Sequence, residues 1–86
     1  MTDAAIIAAA TADERVRAYH CRMPDSVRRA QDAARAWRRA GDHISAGDLE
    51  RDAAARIRMA QRDALIAIVA ARLGMRQDDF GRWIRQ

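Results

Sequence analysis

The sequence is nearly free of the residues that punctuate or staple a chain. Of its 86 residues, one is proline, four are glycine and one is cysteine. A lone Cys21 permits no internal disulfide, which excludes a stapled secreted scaffold and fits a reducing, cytoplasmic setting. Lysine is absent, so all 16 basic side chains are arginine. Aromatics are limited to Tyr19, Trp37, Phe80 and Trp83, too few to interleave with the arginines as a stacking platform for single strands. The longest apolar run, residues 64–71, has eight members, far short of the roughly 20 that cross a bilayer. Residues 1–12 lack a basic leader and are too short for a signal peptide.

The usual seeds of catalysis are missing too. His20 and Cys21 are sequence neighbours and so do not face each other on a helix, and His43 lies far away in a turn. That set matches no zinc spacing. There is no glycine-rich phosphate loop and no inward pair of carboxylates. The expectation is a non-enzymatic protein without metal or cofactor.

What is present is alanine and arginine at helical spacing. Leu49, Ala53, Ile57, Ala60, Ala64, Ile68 and Ala71 recur at three- and four-residue steps, the pattern of a helix face. The spacing predicts one long helix over 45–73, with Ser45 as N-cap and Gly74 as its stop. Residues 64–71 are apolar on every side and must be covered on every side. Either the C-terminal segment folds back over them or a second subunit packs there as a homodimer seam.

Three further helices are expected. The first spans about 3–22, with Val16, Tyr19, His20 and Met23 on its later apolar face. The capping-box sequence Thr11-Ala12-Asp13-Glu14 leaves open a start at Ala12 instead. Met23-Pro24 ends that helix. The second runs over about 24–40 with Val27, Ala30, Ala34 and Trp37 inward, and the last over about 77–85. The fold class is all-α, a single domain forming a small bundle of three to four helices on an antiparallel hairpin of the second and long helices.

The formal net charge is +4, which permits an anionic partner. Acid-first pairs at i,i+4 account for Arg17, Arg29, Arg56 and Arg82. Arg28, Arg35 and Arg39 make a stripe on the second helix, and Arg51, Arg58 and Arg62 one on the third. Arg35, Arg39, Arg58 and Arg62, with Trp83, make one candidate face for an acidic protein or nucleoprotein surface. That reading is an adaptor, or an inhibitor of the kind mobile elements encode against host machinery.

The segment Val69-Ala70-Ala71-Arg72-Leu73-Gly74-Met75-Arg76-Gln77-Asp78-Asp79-Phe80-Gly81-Arg82-Trp83-Ile84 resembles the helix-turn-helix of phage-type repressors and activators. Ala70 stands at the small position where two helices touch, Gly74 at the turn. Val69, Leu73, Met75, Phe80 and Trp83 stand at the apolar positions. The resemblance implies a DNA-binding transcription regulator with a helix over 77–85 in the major groove. Arg76, Gln77, Gly81, Arg82 and Arg85 would then face DNA, Arg and Gln being suited to guanine and adenine edges. The other reading of the same residues is structural: Gly74 simply ends the long helix, and Phe80, Trp83 and Ile84 form an amphipathic tail over 64–71.

Overall fold

The computed structural model describes all 86 residues, Met1–Gln86. The chain is mostly helical and ends in a two-stranded sheet. The order is α1 (Asp3–Ala8), α2 (Ala12–Tyr19), α3 (Asp25–Arg39), α4 (His43–Arg72), β1 (Met75–Gln77) and β2 (Trp83–Arg85). The chain divides into two compact units, Arg22–Ala60, and Met1–Cys21 together with Gln61–Gln86. α4 contributes its first part to one and its last part to the other. No helix is long and apolar enough to cross a membrane.

In the Arg22–Ala60 unit, the turn between α3 and α4 serves both helices. Gly41 takes a positive φ of 87°. Its N–H donates to the Arg38 carbonyl and the N–H of Asp42 to the Trp37 carbonyl, the paired bonds of a Schellman ending. Asp42 then opens α4. Its carboxylate accepts from the Ser45 N–H at 2.9 Å and from the Ser45 hydroxyl at 2.8 Å. The cap is therefore Asp42 and not Ser45, which sits inside the first turn. A carboxylate reaches two donors there and also suits the positive end of the helix. Those bonds, that of the Ser45 N–H first, hold the Asp42 carboxyl below its ordinary pKa. Farther along, Arg38 clasps Glu50 with bonds of 2.8 and 2.7 Å, tying α3 to α4.

In the other unit, the expected first helix is two. Thr11 adopts an extended backbone, with φ −85° and ψ 168°, and its capping box with Glu14 restarts the helix at Ala12. The local cap outcompetes continuation of a helix only six residues long. Arg72 closes this junction from α4. It donates to the Ala9 carbonyl at 2.8 Å and lies 3.0 Å from the Glu14 carboxylate.

The break lets α1 lie against the apolar end of α4. Ile6, Ile66, Val69, Ala70 and Met75 form the core, with Ile7, Ala10, Leu65 and Trp83 packed at its margin. Residues 64–71 are thus covered within the chain: Ile66, Val69 and Ala70 are buried, and only Ala67 and Ala71 are exposed. What remains for the expected homodimer seam is the outer side of that run, with Ala64, Leu65 and Ile68 half-buried. The C-terminal segment does fold back over α4, but as β1 and β2 and not as a helix over 77–85.

Candidate functional site

The residues singled out for DNA all fall on the β1–β2 hairpin or its tip. Gly74, with φ 67°, turns the chain out of α4, and the Gln86 N–H returns to the Gly74 carbonyl at 2.9 Å. The strands pair antiparallel, Met75 with Arg85, Arg76 with Ile84 and Gln77 with Trp83. Directly paired residues share a face. Met75, Gln77, Trp83 and Arg85 therefore face one way and Arg76 and Ile84 the other. Met75 and Trp83 mark the first as the core face. Trp83 is half-buried, with its indole N–H donated to the Asp3 carboxylate. It packs at the margin of the core beside α1 and also lines an open pocket with Asp3, Asp63, Ile66, Ala67 and Gln77.

Asp78 builds the tip. One carboxylate oxygen accepts the N–H groups of Phe80 and Arg82, each at 2.9 Å, and the other accepts Arg82 Nε at 2.9 Å. The Gly81 N–H donates to the Asp78 carbonyl at 3.0 Å, and Gly81 takes φ 77°. The Asp78 N–H also donates to the Arg82 carbonyl at 2.9 Å, so that pair closes a three-residue loop, 79–81, with glycine at the left-handed position. The bonds to Asp78, that of the Arg82 N–H first, hold its carboxyl below the ordinary value. Phe80 is left 84% exposed, with the Arg82 guanidinium 5.3 Å from its ring centre.

The hairpin thus gathers Arg76, Gln77, Gly81, Arg82 and Arg85 on one small element, but not on one face. Arg82 is neutralised by Asp78, and Asp79 stands beside it. Arg76 and Arg85 have no carboxylate within 4.0 Å.

The second candidate set is dispersed. Arg35 pairs with Asp32 and Arg62 with Asp3 at 3.4 Å, whereas Arg39 and Arg58 have no such partner. Of the pairs expected at i,i+4, Asp52–Arg56 and Asp78–Arg82 form at 2.9 Å. Asp13–Arg17 and Asp25–Arg29 do not.

Most of the excess of positive charge sits in the Arg22–Ala60 unit, which carries nine arginines against six carboxylates. On α3, Val27, Ala30 and Ala34 are buried. Arg28, Arg29, Arg35 and Arg39 are all exposed on the side away from that stripe. Asp32 lies among them, 4.0 Å from Arg28 and in contact with Arg35. The sequence pattern shows this stripe except for Arg29, whose expected pairing with Asp25 does not form. Elsewhere, no group of three or more His, Cys, Asp or Glu side chains is placed to hold a metal ion. Cys21 is a half-buried free thiol.

No protein-family model matches the chain, and neither a curated protein nor a solved structure matches it significantly.

Proposed function

We propose that the chain is a small non-enzymatic binding protein, a DNA-binding regulator that holds the duplex through the arginine face of α3. One observation carries the reading: α3 buries an alanine-valine stripe and turns four arginines outward against two carboxylates, Asp25 and Asp32, on the same side. Guanidinium forks suit phosphate oxygens. Arg28 to Arg39 covers about 16 Å of helix, alongside a duplex that carries one charge per roughly 1.7 Å. The segment that resembles a helix-turn-helix forms a β-ribbon in place of the motif's second helix, so the resemblance adds no support here; a ribbon is itself an element that fits a major groove.

Anisotropy of a labelled 20-base-pair duplex tests this. Neutralising four phosphates predicts a loss of about 150-fold in affinity between 50 and 200 mM salt. R28A, R35A and R39A should each weaken binding on every sequence and flatten that slope. Absence of binding at 50 mM salt, or binding indifferent to these substitutions, would remove the α3 reading. If R76A and R85A alone abolish binding, the contact belongs to the ribbon instead.

A second reading, a protein-interaction module, is favoured by one observation: Phe80 stands almost wholly in solvent on a braced turn. Aromatic and arginine side chains are the usual anchors of protein interfaces.

A further inference from the structure

Val16 and Tyr19, expected inside, are 57% and 66% exposed. Both lie on α2, and Tyr19 lines an open groove of about 180 Å³ with Arg15, Ala18, Gln61, Arg62 and Leu65. Its floor is apolar. The Gln61 amide is used by the Tyr19 carbonyl. Arg15 has no carboxylate partner, and Arg62 holds Asp3 only at 3.4 Å. An amphipathic face is therefore left open, with arginine at its rim.

The ribbon tip has the opposite character. Phe80 projects into solvent, and Asp79 beside it makes no ion pair. Asp78 is occupied by Phe80 and Arg82, so the tip holds its shape. An apolar space of about 150 Å³ accommodates a benzene ring, so the groove has room for a phenyl group.

From this complementarity we infer that a second copy of this chain docks its ribbon tip in the groove, Phe80 on Leu65 and Tyr19, Asp79 against Arg15 and Arg62. The contact joins two different patches. A pair of copies closes it by exchanging tips; without closure it continues head to tail. It is independent of any DNA binding and uses none of the α3 arginines.

Sedimentation equilibrium at low salt, up to about 1 mM chain, tests it. The average mass of the unaltered chain rises above that of a monomer. F80A, R15E and D79R each weaken association by at least about tenfold. The double variant R15E/D79R binds more tightly than D79R alone and recovers part of the loss, because the charge at position 15 is exchanged with that at 79 while Arg62 is unchanged. All three residues are exposed and outside the core, so circular dichroism should show unchanged helix. A chain that stays monomeric at the highest concentration overturns the inference. So does association unaffected by F80A, which would point to another seam, and so does a double variant without recovery.

Discussion

Ile6 is the most informative single position. It is fully buried, yet it lies on a helix of six residues, too short to hold its shape without packing. Ile6→Ala removes three carbons. At about 0.8 kcal/mol each the transfer loss is about 2.4 kcal/mol, and incomplete closure of the space raises the expected cost to about 2–5 kcal/mol. A chain of this size is held by roughly 4–13 kcal/mol in total, so the loss is a large share. The two tryptophans separate the two units: Trp83 shares a unit with Ile6, Trp37 does not. In a Trp37→Phe background, urea unfolding followed by Trp83 fluorescence reports the α1 side alone. Ile7→Ala, at a half-buried site, should cost distinctly less. A loss below about 0.5 kcal/mol for Ile6→Ala, the range of an ordinary surface substitution, would mean that α1 does not cover α4.

Three other outcomes follow from the caps and turns. Glu14 is buried, and the Thr11 N–H, then Arg72, hold its carboxyl below the ordinary 4.5. A depressed folded pKa contributes stability that is complete above 4.5 and is lost as the pH falls through the folded value. Glu14→Gln should therefore lower the melting temperature at pH 7, with the gap to the unaltered chain closing below pH 4.5. Gly81→Ala meets no atom within 4 Å, so its cost is backbone strain at φ 77°, about 1–2 kcal/mol, read as earlier unfolding by Trp83. Asp42→Ala, which removes two acceptors from Ser45, should speed hydrogen exchange at the start of α4 while leaving the α2 amides unchanged.

The long helix was legible because its apolar steps run unbroken and Gly74 ends it. The split at Thr11 was legible as an alternative, since the capping box is written in the sequence. Its outcome depends on Ile6 finding a place on α4, which no local pattern reveals. The ribbon was hidden by short strands: three residues give no usable alternation, and Met75-Arg76-Gln77 fits a helix as well. The available signal was Asp78 with Gly81 three residues on, the first and fourth positions of a common turn. Gly81 in the middle of a helix would itself have cost about 1 kcal/mol. Reading residues 64–71 as needing cover was correct in its physics, and the coverers were α1 and the ribbon. The exposure of Val16 and Tyr19 shows the opposite limit: an apolar face in the sequence states that something should pack there, not that this chain supplies it.

Nuclear Overhauser contacts of the C-terminal residues test the account most directly, because the ribbon both covers α4 and displays Phe80. Backbone contacts between Arg76 and Ile84, with Trp83 ring contacts to Ile66, are the predicted result. A continuous run of sequential amide–amide contacts through residues 77–85, with Trp83 free of Ile66, would contradict it.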